Sequence, residues 1–133
     1  MNLFINARTD VYLKEFGAEA ARFDRTVLRA LAYKEAGADG IFVPGVTDPA
    51  LIARLVKAVG LPLNVIAAAA TPPVAELQKL GVARLSLGSG PLRAVLGLTR
   101  RIATELKNSG TFAALTDGAI PYAEMNELLG RRS

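Results

Sequence analysis

The 133 residues suffice for one domain, whereas a complete eightfold βα barrel typically needs about 250. Apolar residues make up 51% and charged ones 21%, which excludes a disordered chain, and the net charge of +4 is spread among acids with only 6% aromatics, which argues against a nucleic-acid surface. With no Cys and no His, disulfides, thiolate metal sites and the commonest general base are all removed, so any chemistry rests on carboxylates, Arg, Lys, Tyr, hydroxyls and backbone dipoles.

The first apolar run, Leu3-Phe4-Ile5-Asn6-Ala7, reads as a buried strand that begins two residues after Met1, followed by a polar loop over 8–17. A helix is expected over about 18–36, with Phe23, Val27 and Leu31 at spacing four, Leu28 beside them, and Gly37 as a left-handed terminator. Gly40-Ile41-Phe42-Val43 is the second strand, stopped by Pro44-Gly45. Asp48 then N-caps a helix with Pro49 in its first turn, a stripe of Leu51, Ile52, Leu55, Val56 and Val59, and Gly60 at its end. Leu63-Asn64-Val65-Ile66 is the third strand, and Val74, Leu77 and Leu80 mark a short helix closed by Gly81. Ala83-Arg84-Leu85-Ser86-Leu87 is the fourth, leading through Gly88-Ser89-Gly90-Pro91 into a longer helix that ends near Asn108. Short helices over 111–115 and 121–129, joined by the turn Thr116-Asp117-Gly118, complete the chain.

Four βα units in this order imply parallel strands buried on both faces, in a sheet that is either open and doubly wound or part of a closed barrel. An apolar strand so close to Met1 has nothing before it to cover its edge, so the expectation is that something on the N-terminal side is missing or that a partner chain supplies it. The apolar stretches are interrupted well short of the roughly 18 residues a membrane helix needs, and Leu3 follows no basic leader, so a cytoplasmic location is expected. The densest basic groups are Arg100-Arg101 and Arg131-Arg132.

Ligands of parallel α/β folds bind at the carboxyl ends of the strands. That rule selects Arg8 and Asp10; Pro44, Gly45 and Thr47; Asn64 and residues 67–71; and residues 86–91. A guanidinium at Arg8 can hold a carboxylate or phosphate at two points, or alternatively form a structural ion pair with Asp10 or a neighbouring loop. Asn64, near a strand end, can reach a ligand oxygen; Asn6 better serves neighbouring groups. Gly88 and Ser89 precede a helix and offer an anion cradle, although short glycine turns also start helices for steric reasons alone. Asp10, Asp39, Asp48 and Asp117 have no metal-ligand spacing, so no metal site is expected in this chain.

The segments Phe4-Ile5-Asn6-Ala7-Arg8-Thr9-Asp10, Gly37-Ala38-Asp39-Gly40-Ile41-Phe42-Val43-Pro44-Gly45, Leu61-Pro62-Leu63-Asn64-Val65 and Leu80-Gly81-Val82-Ala83-Arg84-Leu85-Ser86-Leu87-Gly88 resemble strands five to eight of the isocitrate lyase/phosphoenolpyruvate mutase superfamily. The resemblance implies that residues 1–133 are a single partial domain, the C-terminal half of a (β/α)8 TIM-type barrel. It implies Mg2+-dependent lyase or phosphomutase chemistry on C-C or P-C bonds of small 2-oxo or dicarboxylic acids, passing through an enolate. Arg8 matches the family's substrate-gripping arginine and Asn64 a polar substrate contact; Gly88, Ser89 and Gly45 are weaker candidates for substrate binding. The Mg2+ carboxylates of the family come from the other half of the barrel, so this chain alone is expected to bind no Mg2+ and to be inactive. The lack of a titratable group beside Pro44-Gly45 points to the carboxyphosphonate mutase-like branch. Family members commonly form oligomers, so self-association or pairing with an N-terminal half is expected. The alternative is a non-catalytic half-barrel that pairs with a second copy or a homologous subunit, and a third reading is an independent anion-binding module using Gly88 to Gly90.

Overall fold

The computed structural model describes residues 3–130, so Met1 and the Arg131-Arg132 pair lie outside the described residues. The chain divides into two compact units, residues 1–88 and 89–133.

The first unit alternates β1 (Asn6–Arg8), α1 (Glu19–Glu35), β2 (Gly40–Phe42), α2 (Pro49–Val59), β3 (Leu63–Ile66), α3 (Val74–Lys79) and β4 (Arg84–Ser86). All neighbouring strands are parallel, and the sheet order is β1-β2-β3-β4. A doubly wound sheet reverses direction at a switch point; this one never does. Right-handed crossovers that always step to the next neighbour in the same direction put every helix on the same face. The strand order therefore selects the barrel-type arrangement that hydrophobic periodicity left open.

The core lies between that face and the helices. Ala30 of α1, Ile52, Leu55 and Val59 of α2 and Leu77 of α3 pack with Ile41, Val43, Leu63 and Val65, while Ala7 and Leu85 are partly buried against them. Every strand residue in this cluster is odd-numbered. Because side chains alternate along a strand, the even-numbered ones, Asn6, Arg8, Phe42, Asn64, Ile66, Arg84 and Ser86, belong to the opposite face. Burial on both faces holds for β3, where Asn64 is 2% exposed, but fails at the sheet edges, where Arg8 and Arg84 are exposed.

Local chemistry explains the helix limits. The Asp48 carboxylate accepts a hydrogen bond from the Leu51 N–H at 2.7 Å, Pro49 occupies the first turn, and Gly60 ends α2 in the left-handed region. In α1 the buried stripe is not the expected one. Thr26 and Ala30 are buried and Phe23 and Val27 partly so, whereas Leu28 is 71% exposed. The small residues let α1 approach the sheet, which turns Leu28 and Leu31 outward. The first strand also differs from expectation: Leu3, Phe4 and Ile5 are exposed, and the ladder begins only at Asn6 opposite Gly40. Before Gly40 the chain is still turning out of α1, and the Ile5 N–H is taken by the Asp39 carboxylate at 2.8 Å. No second-strand residue remains for Leu3 or Phe4 to pair with.

The second unit holds α4 (Gly90–Ser109), α5 (Ala113–Thr116) and α6 (Tyr122–Gly130), close to the expected helices. Gly110, in the left-handed region, stops α4. The Glu105 carboxylate then reaches forward to accept hydrogen bonds from the Thr111 hydroxyl at 2.6 Å and from the Ala113 and Ala114 N–H groups at 2.8 Å each. It caps α5 from outside the helix.

Two predictions follow from these contacts. The Thr26 hydroxyl is buried without a partner among the described residues. Thr26→Val removes that donor while keeping the shape, and it is expected to raise stability by about 1 kcal/mol, read by denaturant unfolding; a loss of stability would mean that the hydroxyl is satisfied. The bond from the Thr111 hydroxyl, followed by those from Ala114 and Ala113, holds the Glu105 carboxyl below its ordinary value of 4.5. A lowered native pKa makes the tie fully present above pH 4.5 and lost as pH falls through the native value. The backbone amide resonances of Ala113 and Ala114 should therefore move together in an acid titration, and Glu105→Ala should leave them in the acid-like position at neutral pH.

Candidate functional site

The register of the sheet sets four side chains side by side on the face away from the helices. Arg8 pairs with Phe42, Phe42 with Asn64, and Asn64 with Arg84. The row thus has a cation at each edge and an aromatic ring and an amide between them.

At one end the Arg8 guanidinium donates from Nε to the Asp10 carboxylate at 2.6 Å, and its carbon lies 5.3 Å from the centre of the Phe42 ring. Both members of the ion pair are largely in contact with solvent, at 49% and 39% exposure, so its net contribution to stability is small. Its effect is orientational. The bond occupies Nε and leaves the two terminal nitrogens without partners among the described residues, which keeps a two-point donor edge free. The ion-pair reading and the anion-gripping reading of Arg8 are therefore compatible.

Asn64 is the buried polar centre of the row. Its amide nitrogen lies 3.0 Å and its amide oxygen 3.1 Å from the Ser86 hydroxyl, two residues past its register partner on β4. A serine hydroxyl can accept from the amide N–H and donate to the carbonyl, so this one side chain satisfies both ends of the buried amide. Asn6 is half-buried at the start of β1, opposite Gly40.

The remaining candidates are placed elsewhere and have steric explanations. Gly45 has φ of 89°, and a Cβ there would sit 2.8 Å from the backbone of Leu13, so the close passage of two loops requires glycine. It lines a cleft between α1 and α2 together with Tyr12, Arg22 and Arg54. Gly88 closes the first unit with φ of 56°, and a Cβ would meet Ile66 at 3.0 Å. Ser89 stands at the N-cap position of α4 in the second unit, where its side chain makes no capping hydrogen bond. Arg84 and Phe42 were not singled out from the sequence. The signal for Arg84 was present, since a charged residue between Val82 and Leu85 in a strand must point to a polar or open face.

Among the described residues no three carboxylates come together in a way that could hold a cation. The donor set fits an anion and does not fit Mg2+, so no catalytic step is assigned here to a metal.

Comparison with known proteins agrees with this architecture. The family described as phosphoenolpyruvate phosphomutase matches residues 1–107. An uncharacterized protein of Mycobacterium tuberculosis is 36% identical over 132 residues, which covers 96% of this chain and 46% of that protein. The 2,3-dimethylmalate lyase of Eubacterium barkeri is 31% identical over 136 residues, covering 97% of this chain and 44% of the lyase. Among solved structures, a Burkholderia cenocepacia protein assigned as a lyase/mutase superposes with a TM-score of 0.85 at 36% identity, over 98% of this chain and 46% of that one. Phosphonopyruvate hydrolase in complex with oxalate and Mg2+ superposes with a TM-score of 0.68 at 26% identity, over 93% of this chain and 44% of that one. The chain thus spans just under half the length of the relatives it matches, and its four parallel strands match half of their TIM-barrel-like fold. Matched residues and shared fold together establish that the chain belongs to the phosphoenolpyruvate mutase family, within the superfamily that includes isocitrate lyase.

Proposed function

We propose that residues 1–133 act as one partial-barrel domain, equivalent to strands five to eight, in a lyase or phosphomutase that works on C-C or P-C bonds of small 2-oxo or dicarboxylic acids. The observation that carries this reading is the row Arg8, Phe42, Asn64 and Arg84 on the sheet face that the crossover helices leave free. Arg8 grips a substrate carboxylate with its free terminal nitrogens, and the Asn64 amide contacts a second oxygen. When a bond beside a 2-oxo acid breaks toward an enolate, negative charge grows on oxygen. Guanidinium donors aimed at that oxygen stabilise the charge more than they stabilise the ground state. Gly45 and Gly88 have steric causes for their conformations, so substrate binding in this scheme rests on Arg8 and Asn64.

Support comes from the relatives. A lyase acting on 2,3-dimethylmalate and a hydrolase solved with oxalate are both proteins of small carboxylates. The hydrolase structure also contains Mg2+, and we place the groups that would hold this ion outside the present 133 residues. Among the described residues no helix is long and apolar enough to cross a membrane, and a cytoplasmic location is part of this proposal.

A second reading is favoured by the sheet edges. Among the described residues β1 and β4 each pair on one side only, and Leu3, Phe4 and Ile5 are exposed beside β1. In that reading two copies, or one copy and a homologous half, close the barrel without catalysis.

One experiment separates the two readings. The purified chain is assayed for Mg2+-dependent cleavage of 2-oxo and dicarboxylic acids, alone and mixed with a separately produced N-terminal half of a full-length relative. We expect no turnover from the chain alone and measurable turnover from the mixture, and Arg8→Ala should lower the latter about 100-fold. EDTA-sensitive turnover by the chain alone would overturn the assignment of the metal site. A stable complex of halves without turnover would favour the non-catalytic reading.

A further inference from the structure

The structure assigns a second anion site to the cleft between α1, α2 and the loops that follow β1 and β2, with a carboxylate or phosphate group of a small molecule as its ligand. The cleft has a volume of about 550 Å3, within the range of small-molecule sites. Its walls come from loops and helices, with no residue from the strand row that holds Arg8.

Three hydrogen-bond donors meet there with few acceptors to satisfy them. The Arg54 guanidinium lies 4.2 Å from the centre of the Phe23 ring, and no carboxylate pairs with it among the described residues. Stacking on an aromatic face holds the plane of a guanidinium while leaving its N–H edge available. The Arg22 Nε is buried without a hydrogen-bond partner among the described residues, where its one ion-pair contact, from Nη2 to Glu15, is a loose 3.9 Å. Burial raises the pKa of the Tyr12 phenol, Arg54 and then Arg22 pull it the other way, and Asp24 adds to the rise. Both guanidinium groups therefore act on the same phenol, which is a protonated donor at neutral pH.

Two acidic residues, Glu19 and Asp48, also line the cleft. Asp48 is committed to the α2 N-cap through the Leu51 N–H at 2.7 Å. Glu19 is exposed and pairs with neither guanidinium among the described residues, so two guanidinium groups and a phenol face one uncommitted carboxylate and donors are in excess. Acceptor-only groups with two or more oxygens satisfy this set. Planar guanidinium edges match carboxylate and phosphate alike, so both chemistries are kept as the shared class.

Isothermal titration calorimetry of the full chain with inorganic phosphate, and separately with succinate, tests the site. We expect at least one of them to show a one-to-one binding component that depends on Arg54, and the one that does identifies the class. Arg54→Gln should weaken this binding at least about ten-fold, and the Arg54-dependent component should persist in Arg8→Ala, which removes only binding at the sheet face. If Arg54→Gln fails to fold by circular dichroism, Tyr12→Phe is read in its place, with an expected loss of roughly three-fold or more. The absence of binding by either anion at about 50 mM would overturn the proposal, as would affinity undiminished in the cleft variants. Binding lost in Arg8→Ala and kept in Arg54→Gln would also overturn it, by moving the anion to the sheet face. Each of these outcomes is independent of turnover, so the catalytic reading of Arg8 stands or falls separately.

Discussion

The right-handedness of the βα crossover, applied to four strands laid down in chain order, is the constraint from which the rest of the first unit follows. It sends α1, α2 and α3 to one side of the sheet, so every odd-numbered strand residue becomes core and every even-numbered one faces away from the helices. The parity of a residue number decides which face it serves. Ala7, Ile41, Leu63, Val65 and Leu85 are apolar because they meet helices. Arg8, Asn64, Arg84 and Ser86 can be polar because they do not.

This division also explains why a buried asparagine is tolerated in the middle of an apolar strand. Asn64 would be costly on the helix side, where its neighbours would be Ile52 and Leu55 and no acceptor would be at hand. On the other face the Ser86 hydroxyl satisfies it, and the two residues form a polar unit that ties β3 to β4 through side chains as well as backbone. Neutral pairing of this kind makes few demands on the dielectric surroundings, in contrast to a buried charge. The two arginines of the row stay at the sheet edges, where water reaches them.

Much of this was legible in the sequence. Asp48-Pro49 and Gly60 bracket α2 because capping, proline tolerance and left-handed termination are local effects that need no tertiary information. The family segments led to the barrel arrangement and to Arg8. Where reading failed, the deciding interaction was long-range. Leu28 and Leu31 carry the right spacing for a buried stripe, but the distance at which α1 packs is set by Thr26 and Ala30. Leu3-Phe4-Ile5 has strand composition, but a strand exists only where a neighbour offers hydrogen bonds, and β2 begins at Gly40. The cleft of Tyr12, Arg22 and Arg54 was illegible for the same reason, since its three donors lie on separate elements and share no spacing.

The contact between Gly45 and Leu13 has a consequence for how such a rim can change. The loop after β1 passes so close to the loop after β2 that no side chain fits between their backbones. The two segments are therefore a single mechanical piece. An insertion or deletion in one displaces the other, and with it both Tyr12 and the entry to α2. Variation in this lineage, whether by drift or by laboratory grafting, has to treat the pair as one inherited module, because a loop transplanted alone arrives without the partner against which its shape was cast.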